Sequence, residues 1–407
     1  VTVTDSDTAA AVETLRTTGA IRRRAAYLLG RARAGDSPWF ELDPDAMERA
    51  AAEVAAVTRT RYPDLDIPYH SRWRHFEVGG VPRKAQFDDW FDDDAARARA
   101  MVDLTVVSVL LDAGAGPDWR YREPGTSHSY TRSEGLAVAS WHAFCAGLFS
   151  SDPESPRQVD ADGLRGLDTP TLARAFQAGP DNALIGLDGR VRLLHRLGDA
   201  LGAQPVFFGT DGRPGGLFDA LSGTRTIAAH DILTQLLTSL SAIWLAGNSI
   251  DGHPLGDCWR HPAVPGAGAS QGWMPFHKLS QWLTYSLLEP FEWAGMTVTG
   301  LDALTGLPEY RNGGLLLDTG VLRLREPAHA ARTWAVGDEL VVEWRALTVA
   351  LLDELAPLVR KRLGADAAAL PLACVLEGGT WAAGRRLAQQ LRDGRPPLSI
   401  RSDGTVF

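Results

Sequence analysis

Phe276-His-Lys-Leu-Ser-Gln-Trp-Leu-Thr-Tyr-Ser-Leu-Leu-Glu-Pro-Phe-Glu-Trp293 is the stretch whose periodicity decides the fold class. Leu279, Leu283 and Leu287 recur every fourth residue and make one apolar face. Lys278, Gln281, Tyr285 and Glu289 recur at spacings of three and four and make a second, polar face. This spacing predicts a helix over 276–293 that is buried on one side and carries convergent polar groups on another.

The same period recurs outward from this helix. Helices are expected within 9–33, from Asp43-Pro44 to Thr60, over 87–111, 133–149, 172–178, 190–200, 217–222, 226–248, 341–363 and 381–391. Strand-like pieces are few: 78–82, 206–208, 315–317 and 321–324. Gly- and Pro-rich loops are expected over 62–80, 113–130 and 251–272; a loop as long as the last is usually functional when ordered. The expectation is a mainly α fold with a small β component. It forms a single unit over 1–407, which could be subdivided into an N-terminal helical part, 1–215, and a C-terminal helical part, 216–407, carrying most of the site.

The chain of 407 residues has a net charge of -9, which argues against the basic face of a nucleic-acid binder. Its three cysteines, Cys145, Cys258 and Cys374, are far apart, so neither a disulfide framework nor a structural zinc site is expected. No run of about 18 apolar residues predicts a membrane span. No N-terminal segment has the charged-then-apolar form of a signal peptide. These features give an expectation of a cytoplasmic protein with no membrane partner. Among 41 basic residues only Lys84, Lys278 and Lys361 are lysines. A lysine retained in an arginine-rich chain suggests that an ammonium is specifically required.

Five of the 13 tryptophans lie in 244–293: Trp244, Trp259, Trp273, Trp282 and Trp293. Asp257, Arg260, His261, His277, Lys278, Gln281 and Tyr285 are interleaved with them. Aromatic walls with a few polar groups suit a ligand pocket, and a Trp-rich core with a polar rim would show the same pattern. Further on, Pro308-Glu309-Tyr310-Arg311 resembles a helix N-terminus or tight turn, closed by Gly313-Gly314. It presents a carboxylate, a phenol and a guanidinium on a constrained backbone. That set suits stabilisation of a cationic sugar; an ion-paired turn is the plain alternative. His70, Arg72, Arg74 and His75 form a cationic cluster that could hold a phosphate or simply face solvent. Three candidates are weaker: His230-Asp231, because adjacent helix residues do not face each other; Cys258 as a nucleophile, which lacks a recognised signature; and Asp257-Cys258-Trp259-Arg260-His261 as metal ligands, which lack a second cluster. No G-x-G-x-x-G in a βαβ setting, P-loop or H-E-x-x-H occurs, so no cofactor and no metal is expected.

Three runs together resemble a known family: Gly256-Asp-Cys-Trp-Arg-His-Pro262, Gly272 to Trp293, and Thr299-Gly-Leu-Asp-Ala-Leu-Thr-Gly-Leu-Pro-Glu-Tyr-Arg-Asn-Gly-Gly-Leu-Leu-Leu-Asp318. Ser133-Glu-Gly-Leu-Ala137, Phe149-Ser-Ser-Asp-Pro153 and Leu376-Glu-Gly-Gly-Thr-Trp381 support it. The family is that of the uracil catabolism proteins, long described as a domain of unknown function, and the resemblance spans nearly the whole chain. It implies a step in a pyrimidine-degrading route through uridine nucleotides and a ribosylurea-type intermediate that releases urea. Phe276-x-Lys278-x-x-Gln281-x-Leu283 and Glu309-Tyr310-Arg311 are also similar to two motifs of the queuosine salvage proteins, which are helical nucleotide N-glycosidases of DNA-glycosylase-like architecture. That family has Asp at the position of Glu309 and lacks the glycine pair, so the reach of the carboxylate differs by one methylene.

These resemblances imply a hydrolase cleaving the N-glycosidic bond of a ribosyl or ribosyl-phosphate small molecule. Glu309 would stabilise the oxocarbenium-like transition state or activate water, with Lys278 and Gln281 positioning the ribose or Glu309. Tyr310 and Arg311 would orient the site, and Trp273 and Trp282 would wall it. Asp302 and Asp257 would be reserve acids, and His277 and Arg260 further substrate contacts. Two alternatives remain: an amidohydrolase or deaminase acting on a ring-opened pyrimidine nucleotide, and a non-catalytic carrier serving pathway enzymes.

Overall fold

The longest helix, Glu339–Leu363, shows what organises one of the two compact units of the molecule. Leu340, Val341, Val342, Trp344, Leu347, Leu351, Leu355 and Val359 are all buried along it. Each such side chain contributes roughly 1.5–3 kcal/mol on burial. The helix ends at Gly364, whose left-handed φ of 72° lets its N–H bond back to the Arg360 carbonyl. Helices Thr18–Arg33 and Ala46–Arg61 pack against it, and Tyr310–Asp318 packs against both it and Trp381–Arg392.

A computed structural model describes residues 5–401. The fold is mainly α, and among the described residues the short strands pair in twos. Chain contacts define two units. One takes in the chain up to His70, Asn248–Gln281 and Gly300–Arg401; the other takes in Ser71–Gly247 and Trp282–Thr299. These units interleave along the sequence, so neither corresponds to a half divided near residue 215. The helix Lys278–Trp293 supplies residues through Gln281 to the first unit and from Trp282 to the second.

In the first unit the strands are local clasps. Phe40–Leu42 pairs antiparallel with Leu322–Leu324, and Cys258–Arg260 pairs antiparallel with Trp273–Pro275. In the second unit the helix Asp94–Leu110, capped by the Asp93 side chain on the Ala96 N–H, runs beside Arg132–Cys145 and Leu187–Gly202. Trp73, Phe87, Trp141 and Trp293 form an aromatic cluster there, with Trp73 and Trp293 edge to face at 5.0 Å.

Several local expectations are corrected. The helix expected over 226–248 covers only Ala229–Leu240, because Thr226–Ala228 is a strand paired in parallel with Thr297–Thr299. Residues 315–317, expected as strand, continue the helix Tyr310–Asp318. Residues 206–208 lie in the helical turn Pro205–Phe208, whose first position is a proline. Residues 78–80 form a 3-10 turn. The loop expected over 62–80 also contains the short helix Arg72–Phe76.

Candidate active site

Glu309 is the N-cap of Tyr310–Asp318. Its Oε2 accepts the Arg311 N–H at 2.7 Å and its Oε1 accepts the Asn312 N–H at 2.6 Å. Both oxygens are therefore aimed by backbone, and the positive end of the helix dipole favours their charge. Burial nonetheless pushes the Glu309 carboxyl above the ordinary glutamate value. The two N–H bonds and the charges of Lys278 and Arg311 oppose that rise. A carboxyl tuned upward and fixed in direction suits acid–base work.

Lys278 opens the other piece of the site. Its backbone N–H donates to Asp257 Oδ2 at 2.9 Å, while the Asp257 carbonyl accepts the N–H groups of Phe276 and His277. Asp257 is thus an anion at the start of the Lys278–Trp293 helix. Arg345 grips it twice, at 2.7 and 2.8 Å, and the Trp259 indole N–H adds a bond at 2.7 Å. These partners, the Arg345 charge foremost, outweigh burial and hold the Asp257 carboxyl down at about 2. A carboxylate so firmly ionised has no proton to give near neutrality, which corrects its assignment as a reserve acid.

The structure turns several expected substrate contacts inward. Gln281 is fully buried; its Nε2 donates to Thr305 Oγ1 at 2.7 Å and to the Phe276 carbonyl at 3.1 Å, and its Oε1 accepts the Thr305 N–H at 2.9 Å. It clips the segment leading to Glu309 onto the Lys278 helix. His277 is buried with φ 49°, and its Nε2 lies 2.9 Å from the Leu15 carbonyl and 3.6 Å from Cys258 Sγ. Burial lowers its pKa. Trp273 sits in an apolar cluster with Val12, Leu15, Ile250, Leu255 and Cys258, so it is core within its unit. The guanidinium of Arg260 lies over its ring at 3.9 Å. Trp282 belongs to the second unit, where the Arg72 guanidinium lies over its ring at 5.6 Å.

Arg311 is buried, with its guanidinium 4.5 Å from the Tyr310 ring centre and one nitrogen donating to the Gly394 carbonyl. Tyr310 is partly exposed beside Glu309, and Asp302 is exposed on the 3-10 turn Leu301–Ala303. The structure therefore brings the charge of Lys278 to bear on Glu309, beside Tyr310 and Arg311. Asp257 holds the Lys278 N–H, and Gln281 ties down the segment that leads to Glu309.

The weaker candidates resolve into local pairs. His70 bonds Glu377 at 2.9 Å, Arg72 pairs with Asp112 at 3.2 Å and Arg74 with Glu289 at 2.6 Å, so each of these three side chains has its own acidic partner. His230 contacts Thr234 rather than Asp231. Burial pushes the Cys258 thiol well above its ordinary value, and such a thiol is a poor nucleophile. Among the described residues, His261, Glu339 and Glu343 place three potential metal-ligand atoms within 4.8 Å of one another. His261 Nδ1 accepts the Ala263 N–H, which leaves its Nε2 to donate to Glu343 at 3.0 Å. Ser37 also bonds Glu343, and the Trp39 indole bonds Glu339. As arranged, this is a closed hydrogen-bond network with no imidazole lone pair presented to an ion.

Sequence reasoning missed Arg345, Thr305, Asn312 and Glu377. One signal was available: Glu343 and Arg345 interrupt the apolar run of 340–352, where a charge must find a buried partner.

A mainly helical protein with a part-buried, backbone-aimed carboxylate under the charge of a lysine is the class that fold and candidate site define. The chain belongs to the family described as "Protein of unknown function (DUF1688)", whose model matches residues 14–407. It is 40% identical over 401 residues to "Protein urg3" of Schizosaccharomyces pombe, covering 95% of this chain and 96% of the relative. It is 41% identical over 412 residues to "Uracil catabolism protein 4" of Lachancea kluyveri, covering 92% and 93%.

Proposed function

We propose that the protein acts in pyrimidine catabolism, as the printed name of its Lachancea relative suggests, and that it is an N-glycosidase releasing urea from a ribosylurea-type compound. The observation that carries the reading is Glu309: a part-buried carboxyl whose pKa is raised by desolvation, both oxygens aimed by backbone, with the charge of Lys278 acting on it. In this reading the carboxylate takes a proton from water as the water oxygen bonds to ribose C1. The C1–N bond breaks with its electron pair going to nitrogen, and the proton is delivered to that nitrogen. The products are the free sugar, or its 5-phosphate, and neutral urea. Developing positive charge on the sugar is stabilised by the same carboxylate. Tyr310 and Arg311 shape the approach, and Lys278 holds the orientation of Glu309.

The test is incubation of the purified protein with ribosylurea and with its 5-phosphate, assaying free urea. Release of urea by the wild type and its loss in Glu309→Gln support the reading. An unimpaired Glu309→Gln variant sinks the assignment of Glu309.

A further inference from the structure

We infer that Arg345 and Asp257 form a positioning pair that sets Lys278 and Glu309 against each other; this rests on the reading of those two residues as the reacting site. Three elements distant in sequence meet at one guanidinium. Its two terminal nitrogens bind the two Asp257 oxygens at 2.7 and 2.8 Å, and its Nε donates to the Pro308 carbonyl at 3.2 Å. Pro308 immediately precedes Glu309, and Asp257 holds the backbone N–H of Lys278. Arg345 therefore ties the peptide before the carboxylate to the first residue of the helix that bears the ammonium.

The chemistry of the pair favours this role over simple stabilisation. Both side chains are almost fully buried. A buried ion pair gives little net stability compared with apolar residues of the same volume, so what it supplies here is fixed geometry. The flat fork of arginine can make the two parallel bonds and the third bond together; an ammonium cannot. The guanidinium plane also rests over the Phe276 ring at 4.1 Å, which fixes its tilt. The Gln281–Thr305 clip is a separate tether on the same segment, so loosening Arg345 shifts the site without detaching it.

The three lysines make a test possible that needs no turnover. Reductive methylation with carbon-13 labels Lys84, Lys278 and Lys361, and the Lys278→Arg variant identifies the Lys278 signal. A pH titration of that signal reports protonation of Glu309, and the inflection disappears in Glu309→Gln. The charged groups facing Glu309 in this titration are Lys278 and Arg311. In Arg345→Lys, and more mildly in Trp259→Phe, which removes one bond to Asp257, the inflection moves by roughly half a pH unit or more. With ribosylurea 5-phosphate as substrate, kcat falls by about a hundredfold in Arg345→Lys while KM changes little. If either variant folds, as judged by circular dichroism, and leaves the Lys278 inflection in place, the pair is structural only and the inference is overturned. A wild type that shows the inflection but releases no urea overturns the proposed reaction and leaves the positioning pair standing.

Discussion

Gln281 and Thr305 hold each other by two hydrogen bonds, amide nitrogen to hydroxyl at 2.7 Å and backbone N–H to amide oxygen at 2.9 Å. The amide of one helix thus acts as a backbone surrogate for the segment that ends in Glu309. Replacing Gln281 by Leu keeps the volume but leaves the Thr305 N–H without that acceptor in a dry environment. The expected cost is about 1–3 kcal/mol of unfolding free energy, read from urea denaturation. Urea release falls as well, because Glu309 loses one of its tethers. A Gln281→Leu protein with wild-type stability and turnover would show that the clip is dispensable.

The Glu309 carboxyl is raised by burial. A base works only when ionised, so turnover is expected to fall as pH drops through that raised value. The descent should begin above the pH at which an exposed glutamate titrates. Glu309→Gln cannot take a proton, and loses about 10²–10⁴-fold in kcat. Its amide retains one oxygen to accept a capping N–H, so the folded state weakens by only about 1 kcal/mol. A Glu309→Gln protein that is inactive because it is unfolded would fail this prediction, and a thermal melt distinguishes the two cases.

The two pieces of the candidate site are legible in the sequence, but what joins them is not. The helix over 276–293 was legible because its apolar and polar residues keep separate helical faces, and it starts within two residues of expectation, at Lys278. The turn at Pro308-Glu309 was legible as a helix start. Its glycine pair was misread as a stop, although the helix runs through it: a Cβ on Gly313 would meet the Trp344 indole and one on Gly314 the Pro397 ring. Close packing by distant residues, not turn chemistry, selects glycine there. Gln281 and Asp257 were legible as polar residues of the site, but a side chain aimed at a substrate and one aimed at a backbone look the same in a sequence. Arg345 is 88 residues from Asp257, and no local pattern connects them. The strand Thr226–Ala228 was missed for the same reason, since its partner Thr297–Thr299 lies far along the chain.

Glu377, in a π-helical turn over Leu376–Thr380, is bonded by His70 at 2.9 Å, Arg61 at 2.8 Å and the Tyr62 hydroxyl at 3.0 Å. These partners, the His70 bond foremost, overcome burial and hold its carboxyl at about 2, against an ordinary value of 4.5. A depressed carboxylate stabilises the fold above its unfolded pKa, and that stability is lost as pH falls toward the folded value. The window is therefore from about pH 4.5 down to about pH 2, and the contribution is on the order of 3 kcal/mol. Glu377→Gln should flatten the loss of stability across this window and lower stability at neutral pH, as measured by denaturant unfolding at a series of pH values. An unchanged acid limb in Glu377→Gln would place the acid sensitivity elsewhere, with Asp257 the next group to examine.

Gly384 lies where the helix Trp381–Arg392 crosses the start of Tyr310–Asp318, and a Cβ built on it collides with the Arg311 carbonyl oxygen. The obstacle is backbone, so no rotamer change relieves it. Gly384→Ala must separate the two helices or shift the first turn of Tyr310–Asp318, and that turn holds the N–H groups that aim Glu309. Overpacking of this kind costs about 1–3 kcal/mol or more, although alanine is the better helix former by about 1 kcal/mol. The net outcome expected is a lower melting temperature together with a kcat reduced more than KM is changed, because the carboxylate is displaced while the rest of the site is kept. The neighbouring Ala383→Ser is the control for general disturbance of this helix. Equal losses of kcat in the two variants would mean that contact with Arg311 is not what Gly384 protects.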